Sequence, residues 1–249
     1  AIRREGSAIV FSRELCRACG RCAEVCYAEA RDMEGEVTTA EEVVEEVLKD
    51  SAFFRRSGGG LTLSGGEPLA RPEFAGEILR LAREKGLNTA VETAGHVPWE
   101  NFERVLPYTD LFLFDVKHAD PEKHKEHTGA DNRLILANLE KLTGRGASVT
   151  IRTPVVPGFN DGRGDLLAIA DIAVQAGVRE LHLLPYHRYG SGKYRLLGKT
   201  DPMAGGENSA DGAKASPSPE KNGGAGLKEK LEGMKADLAA KGLVVRIGG

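Results

Sequence analysis

From residue 61 onward the chain repeats one rhythm: a short run of β-branched and apolar residues, a turn, then a longer amphipathic stretch. The runs are "LTLSGG" (Leu61 to Gly66), "NTAVETAG" (Asn88 to Gly95), "LFLFDVK" (Leu111 to Lys117), "SVTIRTPVV" (Ser148 to Val156) and "ELHLLPYH" (Glu180 to His187). Between them, "PEFAGEILRLAREKG", "WENFERVLP", "NRLILANLEKLTGRG" and "GDLLAIADIAVQAG" have the length and periodicity of helices. Strands that alternate with helices pair in parallel through right-handed crossovers, and near-continuous apolar strands predict a sheet covered on both faces. The fold class is therefore α/β, either a barrel or a doubly wound open sheet. Polar residues collect at the C-terminal strand ends: Ser64 to Glu67, Glu92 and Thr93, Asp115 and Lys117, Arg152 and Thr153, His187. In a barrel or partial barrel those ends form the active-site face. These five units fall short of a closed eight.

The flanks fill in the plan. "TTAEEVVEEVLKD" (Thr38 to Asp50) starts with a plausible cap and reads as a helix. Residues 203–226 are rich in Gly, Ala, Ser and Pro, bury too little to offset ordering, and predict a mobile low-complexity loop. The chain recovers with "LKEKLEGMKADLAAKG", a helix ended by Gly242, and a strand-like "LVVRI". A length of 249 residues suits one main domain of this class. No apolar run approaches the length of a bilayer span, so a membrane is not expected as a partner. A net charge of -3 supplies no basic surface for a phosphate backbone, so nucleic acid is not expected either. The opening "AIRREGSAIVFSREL" has no signal-peptide core, which makes a cytoplasmic location the default expectation.

All four cysteines lie in "CRACGRCAEVC", as Cys16, Cys19, Cys22 and Cys26. The C-x2-C-x2-C-x3-C spacing matches the ferredoxin pattern for a [4Fe-4S] cluster, with Tyr27 where the common bacterial run has proline. In two-cluster ferredoxins the fourth cysteine serves the other cluster, and the ligands of a second cluster are not in this sequence. Two other readings stand beside it. Zinc favours CxxC pairs separated by a longer loop, and disulfides suit a secreted chain better than this one. At the first strand end, "SGGGLTLSGGEPL" sets two glycines and Glu67 where backbone could approach a ligand and a carboxylate could meet an amine. A bare GGE is equally a tight turn with a surface glutamate.

Taken in order, "SGGEPL", "VETAG", "FDVK", "IRTPVVPGFND" and "LLPYH" resemble the radical S-adenosylmethionine (SAM) enzymes that activate glycyl radical enzymes, the pyruvate formate-lyase activating enzyme family. The likeness runs from Cys16 to the C-terminus apart from the low-complexity loop, and the cysteine run resembles the ferredoxin-like insert of many members. It implies a partial (β/α)6-type barrel over residues 37–249, preceded by a ferredoxin-like segment over residues 1–36. It further implies that Gly66 and Glu67 meet the amino group of SAM. Asp115, Val116 and Lys117 match a D-x-K strand end beside SAM, and Glu92 with Asp115 matches an acidic pair near a cation and the SAM carboxylate. His187 matches a histidine near the adenosine, and Arg152 lies on the strand facing the sulfonium. The implied partners are a glycyl radical enzyme as protein substrate and reduced ferredoxin or flavodoxin as electron donor. Taken singly, Asp115 with Lys117 could be a rim ion pair, His187 a structural histidine and Arg152 a surface residue.

In such enzymes a C-x3-C-x2-C motif holds the cluster whose electron cleaves SAM to a 5'-deoxyadenosyl radical, and this sequence does not contain it. The opening residues resemble the linker between the two cysteine sets of the insert. The expectation is a C-terminal portion of a longer activating enzyme, inactive as it stands and with no catalytic residue assigned. A non-catalytic iron-sulfur electron-transfer or SAM-binding module is the alternative, and a zinc-stabilised α/β protein is a third.

Overall fold

The computed structural model describes residues 1–33, 35–187, 192, 194 and 224–248. The expected loop at 203–226 lies outside them up to residue 223; its last three residues already belong to a helix that starts at Gly224. Two compact units are distinguished: residues 1–39 with 188–214, and residues 40–187 with 215–249.

In the first unit, β1 (Ile2–Glu5) and β2 (Ala8–Phe11) form an antiparallel hairpin, with Glu5 opposite Ala8 across a turn through Gly6. Gly6 takes a positive φ of 61°, which glycine adopts without a Cβ penalty. The cysteine run follows and includes one short helix, α1 (Arg21–Glu24). The Arg31 guanidinium lies 4.8 Å above the Phe11 ring.

The second unit opens with α2 (Ala40–Leu48) and α3 (Ser51–Ser57). It then builds a six-stranded sheet of β3 (Gly60–Leu63), β4 (Asn88–Thr93), β5 (Leu111–Asp115), β6 (Val149–Val155), β7 (Glu180–Pro185) and β8 (Val244–Ile247). All neighbouring pairs are parallel, and the strands lie in sequence order from β3 to β8. The helices between them are α4 (Pro72–Glu84), α5 (Trp99–Val105), α6 (Pro121–Thr128), α7 (Arg133–Gly144), α8 (Arg163–Gln175) and α9 (Gly224–Ala239). A strand order that never reverses decides between the two expected architectures. With every crossover right-handed, the helices all fall on the same face, as in a barrel, whereas a doubly wound sheet reverses order and covers both. The winding is that of a partial barrel, open between β3 and β8 among the described residues.

This corrects the expectation of a sheet buried on both faces. Burial alternates along the strands: Val91 and Thr93, Phe112 and Phe114, Ile151, Thr153 and Val155, Leu181 and Leu183 are buried, and their neighbours in between are mostly half-exposed. Parallel register carries that alternation across the sheet, so the residues paired with or two away from Asp115 share its face. The covered face packs Phe112, Phe114, Ile151, Leu181 and Val245 against Leu79, Phe102, Leu139, Ile169 and Leu231 of the helices. Each such side chain contributes about 1.5–3 kcal/mol by leaving water. "LFLFD" reads as apolar throughout because Leu111 and Leu113 lie on the other face; only the two phenylalanines are buried completely.

Candidate functional site

The half-exposed face carries Thr62, Glu92, Asp115, Arg152, His182 and Arg246, and the polar contacts gather near its C-terminal rim. Glu92 is the penultimate residue of β4; its carboxylate forms an ion pair with Arg152 Nη1 of β6 at 2.8 Å and accepts from Ser64 Oγ, just past β3, at 3.1 Å. One acid thereby bridges three segments. Asp115 closes β5 in register with Arg152, and Lys117 Nζ donates to its Oδ2 at 3.1 Å. Its other oxygen, Oδ1, is buried with no hydrogen-bond partner. Burial pushes the Asp115 carboxyl above the ordinary range, Lys117 and Arg152 pull it back, and Glu92 pushes the same way as burial. A carboxylate that buries one oxygen without a donor, beside two cations, carries an uncompensated desolvation cost.

Glu67 is placed by its own loop. Gly65 takes a φ of 128°, the chain turns, and the Glu67 carboxylate accepts from Leu69 N at 3.1 Å, from Thr93 Oγ1 at 2.9 Å and from Ala94 N at 3.0 Å. A carboxylate offers about four acceptor positions, so three donors leave it room for one more. Gly66 faces open space: a Cβ there would meet no atom within 4 Å. Val116 is not part of this group. Its side chain is buried, its N–H donates to Arg152 O at 3.0 Å, and its C=O accepts from Thr153 Oγ1 at 2.9 Å. His187 is exposed two residues past β7, on a segment tied to β6 by Tyr186 N to Val155 O. The structure thus joins Ser64, Glu92 and Arg152, joins Asp115 and Lys117 in register beside them, and sets Glu67 on the neighbouring loop.

Three buried asparagines, which the sequence reading did not single out, hold the rim loops in place. Asn138 Nδ2 donates to Gly95 O and Val97 O; Asn132 Nδ2 donates to His118 O and Ala119 O. Asn160 Nδ2 bridges Lys117 O at 2.6 Å and Pro154 O at 2.9 Å, while its Oδ1 accepts from Val156 N. A signal existed: Asn138 is a fully polar residue inside the apolar stripe of α7, and Asn160 follows the turn residues "PGF". Another concavity, of about 690 Å³, lies at the opposite ends of the strands, lined by residues such as Glu140, Ser148 and Arg179. In barrels that end serves stability rather than chemistry.

The four cysteines are free thiols, Cys16 and Cys19 exposed, Cys22 and Cys26 half-buried. Positive φ at Ala18 and Gly20 curls the loop, and Ala18 N–H points to Cys16 Sγ at 3.3 Å. Among the described residues no three Cys, His, Asp or Glu side chains are gathered closely enough to hold a metal ion. The donor set nevertheless fits an iron-sulfur cluster in kind: four thiols on one loop, with a backbone donor aimed at a sulfur.

A singly wound parallel half-barrel with charged side chains at its C-terminal rim has the architecture of α/β barrels, whose sites lie at that rim. The radical SAM superfamily model matches residues 15–170. The isethionate sulfite-lyase activating enzyme of Oleidesulfovibrio alaskensis is 45% identical over 81% of this chain and 66% of its own length. The benzylsuccinate synthase activating enzyme of Thauera aromatica is 37% identical over 96% of this chain and 79% of its own. A domain of pyruvate formate-lyase activating enzyme from Bacteroides vulgatus superposes with a TM-score of 0.57 at 26% identity, covering 77% of this chain and 99% of that one. The chain belongs to the radical SAM superfamily, among the activating enzymes of glycyl radical enzymes. Enzymes of that family use a [4Fe-4S] cluster and SAM. The chain spans just under two thirds of the first of these relatives.

Proposed function

We propose that this chain supplies the SAM-binding wall of a radical SAM activating enzyme whose protein substrate is a glycyl radical enzyme. The observation that carries the reading is Asp115: a half-buried carboxylate with one oxygen unused, flanked by Lys117 and Arg152 on an open sheet face. SAM carries an amino-acid zwitterion, and this rim offers both signs. Glu67, with its remaining acceptor position, and the open backbone at Gly66 receive the ammonium group. Lys117 and Arg152 offset the ligand carboxylate, with Glu92 and Asp115 fixing both cations in place. Val116 contributes by anchoring β5 to β6 from the covered side, and His187 borders the adenosine. Cys16, Cys19, Cys22 and Cys26 hold a [4Fe-4S] cluster in a segment over residues 1–36, distinct from the half-barrel of residues 37–249. Hydrogen abstraction from a glycine of the partner would need, beside SAM, a cluster held by C-x3-C-x2-C, which these 249 residues do not contain. Reduced ferredoxin or flavodoxin is the donor, in the cytoplasm.

Calorimetry on the anaerobically reconstituted chain tests this. SAM is expected to bind the wild type, and Asp115→Asn to weaken it about tenfold or more. Iron and labile sulfide are expected in the wild type and to fall in Cys19→Ser. The 249 residues hold no C-x3-C-x2-C, so binding without release of deoxyadenosine is the expected outcome. Zinc without sulfide would overturn the cluster, and a wild type that ignores SAM would overturn the site.

A further inference from the structure

Just beyond the Asp115–Lys117 pair lies a buried histidine for which the site has no use so far. His118 is 2% exposed. Its Nδ1 accepts from Asp120 N at 2.9 Å, so in the neutral ring the proton sits on Nε2. Nε2 faces Asp165 Oδ1, in the first turn of α8, at 3.4 Å and without hydrogen-bond geometry. The ring of Phe159, from the loop after β6, lies 5.2 Å from the His118 ring and stacks at 4.2 Å on His127. The contact from Nδ1 to the N–H two residues on is the one an Asx side chain makes in a turn. It shapes the link between β5 and α6, whose cap Asp120 accepts from Glu122 N and Lys123 N.

That link sets where Lys117 stands. Lys117 is held at its carbonyl by Asn160 and followed at once by His118, whose own carbonyl is held by Asn132. The groups facing the imidazole are Asp120, Lys123 and His124 of its own segment and Asp165 of α8, with His127 on the far side of Phe159. Burial is the largest influence and favours the neutral ring; Lys123 and His124 act in the same direction, and Asp165 and Asp120 oppose them. A proton on Nδ1 would set an N–H against the N–H of Asp120 and end the turn contact.

We propose that His118 is a positioning residue for the Asp115–Lys117 pair: its Nε2–H tautomer holds the turn after β5, and protonation of Nδ1 releases that turn and weakens SAM. The inference rests on the SAM reading above. It makes SAM affinity depend on pH in a range where the ligand's own carboxylate and amine do not titrate strongly.

The test measures the SAM dissociation constant at about pH 7.5 and about pH 5 for the wild type, His118→Leu and His118→Asn, with circular dichroism confirming that each is folded. The wild type is expected to bind on the order of fivefold more weakly at the lower pH. His118→Leu, which cannot accept from Asp120, binds weakly at both. His118→Asn restores the acceptor without a titratable ring, so it binds at both and shows no step. A step that survives in His118→Asn assigns the pH dependence to another group, such as the Asp115 carboxyl that burial raises, and overturns the proposal. So does a wild type that binds equally at both pH values. A wild type that binds at neither removes the SAM reading itself, and this inference with it.

Discussion

The two faces of the half-barrel sheet are built from the same strands, yet they obey different physics. On the covered face, Phe112, Phe114, Ile151, Leu181 and Leu183 belong to one hydrophobic cluster and hold their positions by packing. On the open face, Glu92, Asp115, Lys117 and Arg152 hold theirs by charge, at distances of 2.8 to 3.1 Å, and one buried oxygen is left without a partner. The first face accounts for stability, and the second carries a buried carboxylate oxygen at some cost to it. That division becomes measurable when one substitution is made on each.

The largest effect is expected on the covered face. Phe114→Ala removes a fully buried ring and leaves a cavity, at a cost of about 3–5 kcal/mol measured by denaturant unfolding. If SAM affinity per folded molecule fell as well, the two faces would not be separable. Next comes Glu92→Gln, which leaves Arg152 without its carboxylate in a half-buried setting. It should cost about 1–2 kcal/mol in stability, with the greater loss in SAM affinity. The smallest effect has the opposite sign. Because the folded state raises the Asp115 carboxyl above its ordinary value, the folded protein holds more protons than the unfolded chain as pH rises past that value, and stability falls across that window. Asp115→Asn removes the loss and should raise the melting temperature by a few degrees at neutral pH, a gain that disappears below about pH 4. No gain would mean that Lys117 and Arg152 already offset the burial.

Much of this was legible in the sequence, and the failures have physical causes. All five strand runs from Leu61 to His187 became strands, and "LVVRI" became β8, because each is a β-branched or apolar run bounded by turn residues. The helix α6, "PEKHKEHT", escaped notice since it has no apolar stripe; Asp120 and Pro121 at its start and Gly129 at its end were the available signals. The hairpin of β1 and β2 is short and exposed, with Gly6 its only mark. At the site, the residue types at strand ends were readable, but their partners were not. That Glu92 would take both Ser64 and Arg152 depends on register, and that three asparagines would secure the loops depends on which carbonyls are buried beside them. Neither is a property of local pattern.

Gly95 has a consequence of another kind. A Cβ on this residue would stand 2.3 Å from the tip of the Phe114 ring, and its φ of 73° is one that side-chain-bearing residues rarely adopt. The ring belongs to the covered face, while the glycine sits in the loop after β4 that Glu67 and Asn138 hold by hydrogen bonds. Positions 95 and 114 are therefore sterically coupled. A larger residue at 95 requires a smaller one at 114 and still meets the backbone penalty, so related chains should keep both or exchange both.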